Sequence, residues 1–395
     1  MWRRPVALVN ARVVAAGGLA SSIRFSNRVL GIDKPPRRSD LVVDAEGAFV
    51  LPGLVNSHDH LELNHFGRVK FRATYENASF WIEDMRPKLR EDPALRKGQR
   101  YPLRDRLLVG ALKNLLSGVT TVSHHNPLYR ELRRGFPVPV VQRYGWAHSF
   151  HLETGEDIVR AYRKTPRGAP FLIHLAEGFD ESAKGELSRL RELGCLRKNT
   201  VLVHGVGLSL EDWTSVHRAG AGLVWCPSSN RFLLGRSVSV DDFLDRELAS
   251  SSSIALGTDS RLSGARDLLE EIREARAASS LALADLLRMV TVNAARVLRL
   301  PEAGRIARGH PADLLVVPPI AVTPEDALVA LDRSAILLVL VGGRPLVGAP
   351  ELSSVFAARR VATTDATLDG RARLLDAALA RRIRSSALSE PGLEV

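Results

Sequence analysis

Cysteine is scarce in this chain: only Cys195 and Cys226 occur, and they form no Cys-x-x-Cys pair. The Cys-x-x-Cys half-site on which the zinc nucleobase deaminases depend is therefore excluded. The two thiols read as free cysteines of an intracellular, cytoplasmic protein. Long apolar runs are also missing. None approaches the roughly 20 residues of a membrane span, and the longest candidate, residues 335–341, reads as a buried strand. Arg3 and Arg4 precede only a few apolar residues, so no signal peptide is expected. There is no internal repeat of solenoid period. The net charge is +11 but lacks a focus, because Lys34 to Arg38, Arg133-Arg134 and Arg381 to Arg384 lie far apart. No nucleic-acid recognition motif accompanies that charge, so no nucleic-acid partner is expected. An arginine-rich surface, or a preference for an anionic substrate, accounts for it.

What is present is the composition of a globular enzyme. The chain has 395 residues, 45% hydrophobic and 25% charged, enough for one large domain and an accessory one. Residues 5 to about 50 read as short strands broken by turns. From Pro52 to about residue 300, strand-like runs alternate with helical patterns. The runs include 119–123, 138–144, 170–174, 200–204, 221–226 and 253–257. Helical spacing covers 103–117, 180–193, 211–219 and 267–278. This alternation predicts an α/β fold, a (β/α)8 TIM barrel. Residues 309–317 and 335–347 return to strand composition. The economical reading joins them to the N-terminal strands. It gives a discontinuous β-sandwich domain from 1–51 and 305–350, a barrel over 52–304, and a C-terminal helical tail over 351–395.

Chemistry concentrates at the ends of the strand-like runs. His58 and His60 lie two apart after an apolar run, and residues i and i+2 of a strand point to the same side. His174, His204 and Asp259 each close a later run. In a barrel, all five would meet at the C-terminal face. Neutral imidazole suits Zn²⁺ or Fe²⁺. Glu62 follows the metal pair and could bind an amino or ring N–H group. Trp81 could stack on a flat ring or pack in the core. His125 and Asn230 also close strand-like runs and are candidates for substrate contact.

These pieces resemble the amidohydrolase superfamily, in its aminohydrolase branch of guanine, cytosine and S-adenosylhomocysteine deaminases and triazine hydrolases. The resemblance rests on Pro52-Gly-Leu-Val-Asn-Ser-His-Asp-His-Leu-Glu62, Gly118-Val-Thr-Thr-Val, His174-Leu-Ala-Glu177, His204-Gly, Cys226-Pro-Ser-Ser-Asn230, Gly257-Thr-Asp259, Thr291-Val-Asn-Ala-Ala-Arg-Val-Leu298 and the Gly309-x-Pro-Ala-Asp-Leu turn. It implies a barrel with a flanking β-sandwich and a metal-dependent hydrolase. It also implies that His58, His60, His174 and Asp259 hold one divalent metal, zinc or iron, with a position left for water. Bound water of lowered pKa would then attack an amino-substituted heterocycle. Glu177 would move protons, and His204 would orient water or polarise substrate, with Asp259 in a double role as ligand and proton acceptor. Residues 138–144 offer no lysine to bridge a second metal. Hydrolysis of a cyclic amide or amidine is the alternative, and a non-catalytic metal scaffold is a third. A small-molecule substrate, no membrane contact and a homodimer complete the expectation.

Overall fold

The computed structural model describes residues 3–244 and 253–395. Parallel strands organise its centre. Leu54–Asp59 pairs with Val119–His124. Gly145–Ala147, Phe171–Leu175, Thr200–His204, Gly222–Trp225 and Ile254–Leu256 form a second parallel sheet in sequence order. Most of these strands are buried along their whole length, as strands covered on both faces must be. Val55, Leu172, Val201, Val203, Val224 and Ala255 pack with residues of the helix Val292–Val297 in one apolar cluster. The arrangement is an α/β fold of TIM-barrel type.

The strand count departs from the expected eight. Among the described residues there are seven parallel strands, in sheets of two and five, without a continuous closed ladder. Residues 138–147 form one interrupted passage that serves both sheets. Val140 makes a single bridge to Val122, and Gly145–Ala147 pairs with Phe171–Ile173. Pro139 supplies no N–H to a ladder there. One helix, Gly155–Lys164, follows before the next strand. The chain between Val119–His124 and Phe171–Leu175 therefore holds one strand–helix unit where an eight-stranded ring needs two. On the opposite side, Asp259 N donates to His58 O at 3.1 Å, drawing the last strand's exit against the first.

Helix boundaries follow local chemistry. Asp180 caps Glu181–Glu192 by accepting from Ala183 N. Ser209 and Asp212 form a capping box on Leu210–Ala219, which ends at Gly220 with φ 67°. Asp267 caps Leu268–Ala277. Two helices that sequence periodicity did not reveal, Ala78–Glu91 and Pro93–Arg100, follow the first strand. No helix among the described residues is long and apolar enough to cross a membrane.

Strands from both ends of the chain meet beside this centre. Phe49–Pro52 pairs with Leu314–Val317 and with Arg12–Ala15 inside a nine-stranded sheet. A four-stranded sheet contains Val6–Val9 and Leu41–Asp44. The expected helical tail is only partly helical: the helix Ser353–Ala358 precedes a hairpin. Thr363–Leu368 and Arg371–Asp376 pair antiparallel, followed by the helix Ala377–Arg384. Asp369 and Gly370 have φ 46° and 81°, so both central residues of the turn are left-handed. Asp-Gly is a favoured pair for that turn, and the threonines of the first strand favour extension.

The helix Leu103–Leu115 sets the position of the metal-pair segment by close approach. A Cβ on Gly110 would lie 2.3 Å from Leu61 O. Gly110→Ala is expected to lower stability by about 1–3 kcal/mol, the cost of overpacking a core contact. Gly185→Ala, at a helical glycine with nothing within 4 Å of the added carbon, should raise it by roughly 0.5–1 kcal/mol. Urea denaturation of both variants checks the contrast, and equal effects at the two sites would contradict it.

Candidate metal centre and active site

Each imidazole at the strand ends is held by a hydrogen bond at Nδ1. His125 Nε2 lies 2.9 Å from Ala147 O and must donate to it, so His125 Nδ1 is an acceptor. His58 Nδ1 lies 3.3 Å from that acceptor and donates. His174 Nδ1 donates to His148 O at 2.8 Å. His204 Nδ1 is 2.8 Å from Asn230 Oδ1. The Asn230 amide nitrogen donates to Ser237 Oγ at 3.1 Å, and Trp225 Nε1 donates to the same oxygen at 2.7 Å. These partners assign the proton of His58, His174 and His204 to Nδ1 and leave a lone pair on each Nε2.

The Nε2 atoms of His58, His60 and His174 converge, and His60 differs from the other two in that its Nδ1 faces a donor, Asn126 Nδ2, at 3.3 Å. His174 Nε2 is 3.3 Å from His58 Nε2 and 3.3 Å from His60 Nε2. Asp259 Oδ1 lies 3.7 Å from His58 Nε2 and 3.8 Å from His60 Nε2. Burial holds the rings of His58 and His174 neutral by lowering their pKa values, and His60 is pushed down to about 3. Neutral nitrogen lone pairs facing one another repel unless a cation lies between them. An N–N spacing near 3.3 Å is the edge of a tetrahedron whose centre is ~2.0–2.1 Å from each nitrogen, as in zinc sites. The donor set therefore fits a divalent metal. Ligand atoms of His58, His60 and Asp259 lie within 4.8 Å of one another, as do those of His58, His174 and His204.

The backbone at these strand ends is unusual. Ala176, His204 and Asp259 have φ of 53°, 76° and 52°, left-handed values that non-glycine residues seldom adopt. Gly257 must be glycine, because a Cβ there would lie 2.6 Å from His58 Cβ. The Asp259 carboxylate is shared. Oδ1 accepts from Ser260 N at 2.6 Å, and Oδ2 accepts from Ser229 Oγ at 2.8 Å and Ser263 Oγ at 2.7 Å. Burial would raise its pKa, but His60, His204 and the two serines outweigh that and keep it ionised.

Glu177 Oε1 stands 3.5 Å from His204 Nε2, with 19% of its side chain exposed. Burial raises its pKa to about 7, with His204 opposing the shift. Glu62 lies in the turn Leu61–Leu63. Its Oε1 accepts from Asn126 Nδ2 at 2.6 Å and Tyr129 Oη at 3.4 Å, while its Oε2, 3.8 Å from His124 Nδ1, accepts no hydrogen bond among the described residues. A buried carboxylate oxygen without a donor suits a ligand N–H.

Three expected substrate contacts have other employment. His125 is wholly buried behind His58 and stacks on His174 at 4.1 Å. Asn230 orients His204. Trp81 donates Nε1 to Val69 O at 2.9 Å and packs with Tyr75, Leu233 and Met85, so it anchors residues 66–75 over the strand ends. Lys113, Asn56, Asn114 and Asp59 were not anticipated. They form a buried polar layer behind the ligands, joined to Asn64.

A model of the Amidohydrolase family matches residues 156–346. The 5-methylthioadenosine/S-adenosylhomocysteine deaminase of Pyrococcus furiosus is 26% identical over 345 residues, covering 71% of this chain and 77% of that protein. The protein of the same description from Pyrococcus abyssi is 35% identical over 161 residues, and that alignment spans only 37% of either chain. Among solved structures, a zinc complex of atrazine chlorohydrolase from Arthrobacter aurescens superposes with a TM-score of 0.72 at 17% identity, over 90% of this chain and 99% of that one. A zinc-bound adenosine deaminase from Xanthomonas campestris gives 0.71 at 18% identity, over 90% and 97%.

His125→Phe removes the acceptor for His58 Nδ1–H while keeping a ring of similar shape. It should weaken zinc binding about 10–100-fold, the usual consequence of losing a group that orients a ligand. Chelator competition measures this; unchanged affinity would mean that His125 only fills space.

Proposed function

We propose that this chain is a member of the amidohydrolase superfamily and that it hydrolyses the exocyclic amine of an amino-substituted heterocycle and releases ammonia. One observation carries the reading. Imidazole lone pairs, fixed by Nδ1–H bonds, converge beside the largely buried Glu177 carboxylate, 3.5 Å from His204 Nε2. The names of the relatives and the zinc in the structural neighbours support it. His58, His60, His174 and Asp259 would hold one divalent metal, zinc by preference. When bound, it would supply Lewis acidity and lower the pKa of water.

The remaining steps belong to the chain. Glu177, poised near neutrality, takes a proton from the attacking water and passes it to the departing amine. The C–N bond breaks as a C–O bond forms, and ammonia leaves. His204 Nε2 carries no proton in the assigned tautomer, so it orients the water or briefly holds the proton next to Glu177. Glu62 Oε2 accepts an N–H of the ring. Asp259, ionised and hydrogen-bonded on both oxygens, stays a ligand and accepts a proton only secondarily.

A second reading has an observation of its own. His204 Nε2 also groups with His58 and His174 as a potential ligand, and two metals would favour hydrolysis of a ring amide. Against it, residues 138–144 carry no bridging lysine. We further propose that the strands before residue 52 and after 304 act as one accessory β-unit. A cytoplasmic homodimer without nucleic acid is the working form; the free, buried Cys195 and Cys226 suit that compartment.

Glu177→Gln should retain one zinc per chain by elemental analysis and lose about 10²–10⁴ in kcat. Ammonia release from adenosine, 5′-methylthioadenosine, S-adenosylhomocysteine and aminotriazines supplies the assay. Near-normal turnover in the variant would refute the proton-shuttle role. Two metals per chain, with ring opening and no ammonia, would replace deamination by amide hydrolysis.

A further inference from the structure

Lys113 has no solvent exposure, yet it is a lysine in the helix Leu103–Leu115, behind the metal-pair strand. An ammonium carries three donors. Here each finds an acceptor, and the three acceptors come from three segments of the site. Lys113 Nζ lies 2.6 Å from the backbone oxygen of Asp259, 2.9 Å from Asn64 Oδ1 and 3.3 Å from Asp59 Oδ2. Asp59 sits between His58 and His60. Asn64 begins the loop beyond them and also receives Arg261 N, two residues after Asp259, at 3.0 Å.

The contact with Asp259 matters most. Asp259 is left-handed, with φ 52°. An aspartate in that conformation needs its surroundings to hold it. Its carbonyl accepts from both Lys113 Nζ and Thr258 Oγ1, the latter at 2.8 Å. Asp59 balances the buried charge. Its Oδ1 accepts from Asn64 Nδ2 at 2.8 Å, and its Oδ2 accepts from Asn114 Nδ2 at 2.8 Å.

We infer that Lys113 is a positioning residue of the metal centre: one ammonium pins the segment bearing His58 and His60 to the strand end bearing Asp259. It touches neither metal nor substrate, and acts by fixing where the Asp259 carboxylate stands relative to the imidazole nitrogens. The inference rests on the metal reading above.

Two variants of the full chain test it. Asp59→Asn with Lys113→Met removes both charges, so neither is left buried alone. Lys113→Gln removes the charge but keeps a donor. Each is loaded with Zn²⁺ for affinity and with Co²⁺ for visible absorption, which reports ligand geometry in a way that general packing does not. Cooperative melting with zinc affinity at least 10-fold weaker and displaced cobalt bands is the expected result. Either variant, folded, with zinc affinity within twofold of the unmodified chain and unchanged cobalt bands would overturn the assignment. The two readings fail separately. Unmodified chain that takes up no zinc would overturn the metal reading and this inference with it. Zinc at one per chain, with unchanged affinity in the variants, would overturn only the role of Lys113.

Discussion

The unprotonated Nε2 atoms of His58 and His174, brought to 3.3 Å from one another, are the constraint from which the rest of this structure follows. Alone, such a set is repulsive, and each ring would rotate away or take up a proton. Neither happens, because the opposite nitrogen of each of His58, His174 and His204 is tied to an acceptor: His125, the His148 carbonyl and Asn230. Turning any of these rings would break that bond inside a buried region, where an unmade hydrogen bond costs about 1–3 kcal/mol. The fold thus stores an electrostatic demand that a cation would meet.

That demand explains the polar layer behind the site. Asn56, Asp59, Asn64, Lys113 and Asn114 are all nearly or wholly inaccessible, and a buried polar group is tolerable only when bonded. Asn56 Nδ2 donates to Asn114 Oδ1 at 2.8 Å and Thr258 Oγ1 at 2.9 Å. Its Oδ1 accepts from Thr258 N at 3.1 Å. The layer therefore crosses from the first parallel strand to the last, at the place where no ladder joins them. Apolar packing could hold those strands together but would not fix the angle at which each presents a ligand. Directional bonds do so, at the expense of conformational freedom in the strand ends.

How much of this was legible in the sequence depended on whether a residue's role follows from spacing or from partners. His58 and His60 share a side because strand period is two, and His174, His204 and Asp259 were visible because each closes an apolar run. The roles of His125 and Asn230 turn on which of their atoms meets which neighbour, and no spacing rule encodes that. Lys113 was hidden for a different reason. The helix Leu103–Leu115 is buried on nearly every face, so its apolar stripe gave no hint that the polar residues beside it also point inward. The absence of an eighth parallel strand among the described residues and the C-terminal hairpin were legible in principle. Only one strand–helix unit fits between His124 and Phe171, and Asp369-Gly370 is a hairpin signal. Alanine and leucine richness outweighed that signal in the helical reading of the tail.

The tail itself reaches the centre. Arg261, two residues beyond Asp259, makes paired bonds of 2.8 and 2.7 Å to Glu390. Arg333 donates to Glu390 at 2.6 Å and to Asp369 at 2.7 Å, and Arg266 pairs with Asp369 at 2.8 Å. Glu390 and Arg333 are buried. Desolvation offsets much of the attraction in such pairs, so they add little net stability, but removing one partner strands a buried charge at a cost of about 3–5 kcal/mol. Their effect is therefore on specificity of placement more than on stability. The loop after Asp259 is tied to the C-terminal segment through the paired Arg261–Glu390 bonds. The strands flanking the barrel-type centre are by that route part of the scaffold of the site, and Asp259 is held from behind by Lys113 and from beyond its own loop by Glu390.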